Sequence, residues 1–433
     1  MSDSPKTLLM ISYPFPPNPS AGAVRSERFA RYLSIYGWKT EVLTIEHRLD
    51  MFEDINLLKG LGEHVNVHFT KTLDPWLWLS RKTTGNFFLR VARSILMRIF
   101  SFPDHMLLWV PFALRKALKI CKKKKIDVIY TTSPPHSTHI AGLLLSKWLR
   151  IPWVADFRDP WTLNAYREES AIDALLLRAE KIMEKGLLRN ASLILANTKA
   201  NQKNLLMAFP FLDEKRVIHL PNGWEDFPER DHGKKENEVF TIVHSGTYYP
   251  RFKPYGLFHA LAHWRNGNLP PGSPPWDNNI RVILLGSGDM ATRKVVDDLG
   301  LQDIVEIRPW VALDEARKIM CQADALWASL GTGNESSTYI PSKLFEYFAA
   351  RRPILGFFPE GEAADLIKQT NTGIVFTSDQ PEPVIRALGE ALEAKKKDGI
   401  LYSPSKDVIN QYHIRRIVEK INGHLMSLSN REN

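Results

Sequence analysis

Short apolar runs with no polar alternation recur along this chain, and helical stretches separate them. Leu8 to Ser12, Thr40 to Thr44, Asp127 to Thr132, Trp153 to Ala155 and Leu193 to Ala196 lie in the first half; Phe240 to Ser245, Val282 to Leu285, Val305 to Ile307, Ala325 to Ala328, Ile354 to Gly356 and Gly373 to Phe376 lie in the second. A strand that is apolar on both faces must be covered on both, which is the condition of a parallel sheet between layers of helix. Strand and helix alternating in this way specify an α/β chain, and a length of 433 residues fits two such domains of roughly 200 residues each. The polar run from Glu225 to Glu238, broken by Pro228 and Gly233, divides the two series. The expected division is therefore 1–224, a linker over 225–238, a second domain over 239–405 and a helical tail over 406–433 that returns to the first domain.

Each half opens on a Rossmann-like unit. After Leu8 to Ser12, prolines 14, 16 and 17 end the strand, and Ser20-Ala21-Gly22-Ala23 leads into an amphipathic helix from Arg25 to Tyr36. The loop is not GxGxxG, so no dinucleotide fingerprint is present. A glycine at a helix start still lets backbone amides approach a phosphate, and Arg25 adds a charge there unless it is simply solvated. In the second half, Ser245-Gly246 and Leu285-Gly286-Ser287-Gly288 end two strands in the same manner, the first followed by Arg251 and Lys253. The segment PSKLFEYFAARRPILG, from Pro341 to Gly356, sets Ser342 and Lys343 at the mouth of a helix and Glu346 one turn in. Unpaired backbone amides, a cation and a carboxylate acceptor together suit a sugar bearing a diphosphate. The same residues also fit a surface helix with a serine cap and a solvated glutamate.

Two other stretches carry chemistry. Asp156-Phe157-Arg158-Asp159-Pro160-Trp161 stands at the carboxyl end of a strand, where parallel sheets bind ligands, although it also fits a structural ion cluster. Between Trp76 and Lys125 basic residues such as Arg81, Arg93, Arg98 and Lys119 face a single acid, Asp104, and alternate with Phe87, Leu89, Ile95 and Phe100. This band fits a helix lying on an anionic bilayer, or equally a core helix with a basic back. The net charge of +9 also raises nucleic acid as a partner, but no nucleic-acid-binding motif is visible and none is expected. Cys121 and Cys321 have no CxxC or His/Cys cluster around them, which argues against a disulfide framework or structural zinc. No apolar stretch is long enough to span a membrane and no signal peptide is apparent, so a cytoplasmic protein, peripheral on the inner face of the membrane, is expected.

Taken in order, the Gly22 loop, His219-Leu220-Pro221-Asn222-Gly223, Ser245-Gly246 with Arg251 and Lys253, Leu285-Gly286-Ser287-Gly288 and Ser342-Lys343-Leu344-Phe345-Glu346-Tyr347 with Ala350 and Pro353 resemble the GT-B glycosyltransferases of family 4, also called group 1. The resemblance implies two Rossmann-like domains facing across a cleft, a nucleotide-sugar donor on the second, an acceptor on the first, and transfer with retention of anomeric configuration. Glu346 matches the second glutamate of the family's E-x7-E motif, which accepts from the ribose hydroxyls; Thr338 stands where the first would be, with Glu335 nearby. Arg251, Lys253 and Lys343 are the candidates to neutralise the leaving diphosphate. The family's catalytic-site histidine aligns with Arg158 and the adjacent acid with Asp159. The DFRDPW sequence is similar to bacterial polysaccharide-assembly enzymes, which implies a lipid-linked or polysaccharide acceptor. Arginine stays protonated, so Asp159 is assigned to orient or deprotonate the acceptor and His136 to support the donor. Gly22, Gly246, Gly286 and Ser342 complete the expected donor contacts. No Asp-x-Asp pair is apparent, so neither a metal nor any cofactor beyond the donor is expected. The alternatives are a sugar-nucleotide epimerase of the same fold and a non-catalytic membrane-surface scaffold with a degenerate donor site.

Overall fold

The computed structural model describes residues 5–46, 53–73, 102–164, 171–227, 239–246, 255–267, 269, 272–286, 290–397 and 402–430. It separates into two compact units, one formed by 1–221 with 414–433 and the other by 222–413. In the first unit seven strands form one sheet: β1 (Thr7–Ser12), β2 (Lys39–Ile45), β3 (Val65–Thr70), β4 (Val128–Ser133), β5 (Trp153–Phe157), β6 (Leu193–Ala196) and β7 (Val217–His219). Their spatial order is β3-β2-β1-β4-β5-β6-β7 and every pairing is parallel. All residues of β1, β4 and β5 are buried, as expected of strands covered on both faces. One face packs on the helices Val110–Lys123, Ser137–Leu149 and Ala171–Asn190 through Ala113, Ile120, Leu145 and Leu187. The other face is covered by Ala21–Leu33 and by Ile414–Ser429, whose Ile417, Val418, Ile421 and Leu425 meet Leu8, Met10, Val42 and Val128. Each aliphatic side chain buried in this way contributes about 1.5–3 kcal/mol, which fixes the C-terminal helix as part of this unit.

The second unit repeats the plan with β8 (Phe240–Ser245), β9 (Ile280–Leu285), β10 (Val305–Arg308), β11 (Ala325–Ser329), β12 (Ile354–Phe357) and β13 (Gly373–Phe376). The order is β10-β9-β8-β11-β12-β13, again parallel throughout. In each sheet the direction of winding reverses once, between β1 and β4 and between β8 and β11. Loops leaving the carboxyl ends of the flanking strands diverge there, so a ligand has room at that point.

Several boundaries differ from the sequence expectation. The first unit ends at Pro221 rather than 224, because Trp224 bridges to His413 and its indole donates to the Ile409 carbonyl at 3.0 Å, both within the second unit. Glu225 to Phe227 are not linker: Phe227 is 5% exposed in the second unit's core, and Glu225 accepts from Arg317 at 3.0 Å. The remainder of the expected linker, 228–238, lies outside the described residues. The helical tail expected over 406–433 is two helices, Lys406–Asn410 and Ile414–Ser429, and the change of unit falls between them. Strand β3 and the helices Lys199–Ala208 and Glu362–Thr370 were not expected.

Candidate functional site

At the winding reversal of the first sheet, the loops after β1, β4 and β5 bring together Gly22, His136, Arg158 and Asp159. The Arg158 guanidinium is held by two carbonyls, donating from Nε to Ser133 at 3.0 Å and from Nη2 to Pro134 at 2.8 Å. It lies so close over Gly22 that a Cβ there would overlap the guanidinium. Gly22 therefore makes room for an arginine, and the cation, rather than the bare glycine backbone, lies over the helix mouth. Asp159 accepts no hydrogen bond from the described residues. Burial pushes its carboxyl above the usual range, while the neighbouring Arg158 pulls it down by less. His136 immediately precedes the helix Ser137–Leu149 and stacks flat on Trp161, with ring centroids 4.8 Å apart and 5° between planes. Trp161 in turn donates to Glu180 at 3.0 Å, and the Thr162 hydroxyl donates to buried Glu184, which burial pushes up to about 7. The β5 loop is thus gripped from below by two carboxyls one turn apart on a single helix.

Arg25 does not serve a phosphate. Its guanidinium is 4% exposed and forks onto Asp156, with Nε and Nη2 each 3.0 Å from a carboxylate oxygen. It also donates to the Pro221 and Leu220 carbonyls, both at 2.9 Å, so the HLPNG motif acts in part through its backbone. Asp156 further accepts from Tyr130 at 2.6 Å and Thr132 at 3.0 Å. Removing one partner of a buried pair of this kind costs about 3–5 kcal/mol, which commits both residues to the fold. Of the two carboxylates in DFRDPW, only Asp159 is left for chemistry. His219 in the same motif is held neutral, its pKa pulled to about 4 by burial and by Lys420 and Lys199.

In the second unit, Gly246, Gly286 and Lys343 converge at the exits of β8 and β9. Gly246 has φ +93° and Gly286 φ +82°, conformations that favour glycine, and a Cβ on Gly286 would lie 3.7 Å from the Gly246 backbone. A Cβ on Gly246 would lie 3.8 Å from the Lys343 Nζ. The Lys343 amine sits 2.8 Å from His244 Nε2, and burial pulls its pKa down to about 7. Tyr347, one turn further along the helix Lys343–Ala350, donates to the Trp327 carbonyl at 2.9 Å and accepts the Ser245 N–H at 3.0 Å, which ties the helix to the end of β8. Ser342 precedes the helix but its side chain makes no capping hydrogen bond, so it is not the serine cap of the alternative sequence reading.

Glu346 lies on the same helix and faces Arg317, with Oε2 3.6 Å from Nε. Arg317 also engages Glu225 and stacks over Phe227 at 5.0 Å. Glu335 folds back over Gly333 in a short 3-10 turn that also holds the loop before Thr338. Arg251 and Lys253 lie outside the described residues. Among the described residues no group of three or more His, Cys, Asp or Glu side chains is arranged to hold a metal ion. Sequence reasoning missed His244 and Arg317, and it named Tyr347 and Trp161 within their motifs without giving either a role. Only His244 had a signal, as a polar residue two positions before a strand-end glycine.

Comparison with known proteins places this geometry. Residues 56–225 match the family described as Glycosyltransferase Family 4, and residues 242–394 match that described as Glycosyl transferases group 1. A search of curated proteins gave no match. Among solved structures, sucrose-phosphate synthase from Thermosynechococcus elongatus superposes with a TM-score of 0.65 at 13% identity, covering 98% of this chain and 99% of that one. A glycosyltransferase from Rickettsia africae gives 0.60 at 14% identity over 99% of both chains. WaaG, a glycosyltransferase involved in lipopolysaccharide biosynthesis, gives 0.61 at 13% identity over 96% and 99%. At these identities the structures establish the shared two-domain GT-B fold. The two family matches, in that order along one chain, establish more: this protein is a glycosyltransferase of family 4, group 1.

Proposed function

We propose that the enzyme moves a sugar from a nucleotide-sugar held by the second unit to a lipid-linked or polysaccharide acceptor held by the first, in the synthesis of cell-surface glycan. The observation that carries this reading is the Lys343 amine over the two glycine strand exits. Glycosyl transfer passes through an oxocarbenium-like state while the diphosphate leaves with growing negative charge. A fixed cation and free amides at a helix mouth stabilise that charge where it develops. Lys343 supplies the cation, Arg251 and Lys253 are the further candidates, and Glu346 and Ser342 take the ribose and phosphate hydrogen bonds. Asp159 orients or deprotonates the acceptor hydroxyl, with Arg158 fixed beside it. The chemistry assigned here needs no metal and no cofactor, and the family implies retention. Transfer that survives EDTA and a product of unchanged anomeric configuration by NMR are the results this reading requires.

A thermal-shift screen of UDP, GDP, ADP and their sugars tests the donor site. A ligand at a hundred times its dissociation constant stabilises by about 2.7 kcal/mol. For a unit of this size that is a rise of roughly 5–10 °C in Tm. No shift with any of them would remove the reading.

The enzyme works at an anionic membrane surface in the same proposal. Helices Val110–Lys123, Ser137–Leu149 and Ala171–Asn190 form one layer, and their exposed residues include Arg115, Lys119, Lys147 and Lys185 beside Trp148 (56% exposed) and Ile182 (75%). Among their described side chains the only acids, Glu180 and Glu184, are buried. The sequence places this layer partly within the basic band of 76–125; residues 74–101 lie outside those described. No described helix is long and apolar enough to cross a membrane. A basic residue near an anionic surface is worth about 1 kcal/mol, so Lys119→Glu with Lys185→Glu should weaken binding to phosphatidylglycerol-containing vesicles roughly thirtyfold or more. Equal co-sedimentation of the variant and the parent would refute the membrane assignment.

A further inference from the structure

His244 is a buried group at the donor end of the second sheet that the proposed chemistry does not use. It is 1% exposed and lies near the end of β8. Its Nδ1 is 3.0 Å from the Trp327 carbonyl oxygen, and its Nε2 is 2.8 Å from the Lys343 Nζ. A carbonyl only accepts, so Nδ1 carries the ring proton and Nε2 presents a lone pair to the amine. The same Trp327 carbonyl accepts from Tyr347, whose oxygen receives the Ser245 N–H. The Trp327 ring packs edge-on against the imidazole, with centroids 5.3 Å apart at 62°. Tautomer, ring plane and strand end are therefore set together by one carbonyl on the neighbouring strand β11.

We propose that His244 is a positioning residue that holds the Lys343 amine against the glycine exits of β8 and β9, and that the pair takes up one proton when a diphosphate docks there. The inference rests on the donor-site reading and adds to it the group that aims the cation. Without an acceptor at Nε2, a four-carbon stem would let the amine swing to water, where it is better solvated. Held in place, the amine is pulled down to about 7 by burial, so near neutral pH it is often uncharged. A docked diphosphate favours the ammonium, and the proton comes from solvent. Among the described residues, His244 from β8 lies 2.8 Å from the amine and a Cβ on Gly246 would lie 3.8 Å from it, with Gly286 packed on the Gly246 backbone. Glu346, on the same helix, faces Arg317 at 3.6 Å. Arg251 and Lys253 follow Gly246 in the sequence and lie outside the described residues.

Competitive acetylation with acetic anhydride, read by mass spectrometry on the peptide carrying Lys343 between pH 6 and 10, measures where that amine titrates. Inorganic pyrophosphate is the probe. In the parent the midpoint should lie near 7, and saturating pyrophosphate should slow labelling at pH 7.5 at least tenfold and raise the midpoint by a pH unit or more. His244→Gln places an amide oxygen where Nε2 stood and should retain both behaviours. His244→Asn keeps a donor for the Trp327 carbonyl but is too short to reach Nζ. Its midpoint should move towards the roughly 10.4 of a solvated lysine, with protection at least tenfold weaker. His244→Leu should match Asn; far-UV circular dichroism and melting of each variant identify any that fail to fold, and the Gln and Asn pair alone decides the matter. An Asn variant that titrates and is protected like the parent overturns the inference. A parent whose Lys343 is protected by neither pyrophosphate nor any nucleoside diphosphate overturns the donor-site reading instead, whatever the His244 variants show.

Discussion

Lys343→Met is expected to lower turnover of the nucleotide-sugar roughly 100- to 1,000-fold, the usual cost of removing one fixed group aimed at developing negative charge. The loss should fall mainly on kcat, because the charge that Lys343 meets grows as the bond to the sugar breaks. A pH series separates this from a packing defect. The free amine titrates near 7 because burial disfavours its charge, and the bound diphosphate raises that value. Below pH 7 the amine is already charged, so affinity for the diphosphate should be flat. Above it a proton must be taken up, and affinity should fall by up to about tenfold per pH unit until the bound-state value is passed. Methionine has nothing to titrate and should remove that slope as well as the affinity. If calorimetry with the nucleoside diphosphate finds the same slope in Lys343→Met as in the parent, another group carries the effect and Lys343 is not the phosphate cation.

The parallel strands were legible because burial on both faces leaves a continuous apolar run, as in TLLMIS of β1 and LILA of β6. Strand β3, VNVHFT, lies at the sheet edge with Asn66 and Phe69 exposed and gives no such run. The helix Lys199–Ala208 was missed because the first six residues of its sequence, KANQKNLLMA, are polar but for one alanine and it buries only Asn201 and Leu205. The helix Glu362–Thr370 begins behind a Pro-Glu-Gly stretch that resembles a plain turn. Gly246, Gly286 and Lys343 were legible as a group, since strand-end glycines and a helix-mouth lysine have local signatures. The fate of Arg25 was not. Nothing near it announces Asp156, 131 residues away, or the Leu220 and Pro221 carbonyls that complete its shell. Gly22 was singled out correctly as a place of close approach, but what approaches is Arg158, brought there by the pairing of β4 with β5. Local pattern identifies groups able to bind an ion; only the fold shows which of them the protein has already used.

That distinction carries most weight for the two aspartates of DFRDPW. Asp156 is fully buried and committed to Arg25, Tyr130 and Thr132, so it is closed off from a substrate. Asp159, three residues on, accepts no hydrogen bond from the described residues and sits beside an arginine pinned to the Ser133 and Pro134 carbonyls. Asp159→Asn is therefore expected to lower acceptor-dependent kcat about 100- to 10,000-fold, the range for loss of a general base. The donor's dissociation constant should stay within about twofold, since the diphosphate is assigned to the second unit. The pH dependence follows from the sign of the shift. Burial raises the Asp159 pKa and Arg158 offsets only part of that, so the ionised form is lost at a higher pH than for an ordinary carboxylate. A base acts when ionised, so the parent's transfer rate should fall as pH drops through that raised value, and the residual rate of the asparagine variant should lack this acid limb. The asparagine is close to isosteric and breaks no hydrogen bond seen here, so the melting temperature should barely move. An Asn variant with parental kcat, or one whose donor affinity falls as far as its rate, would transfer the acceptor's base to another residue and leave His136 as the group to test next.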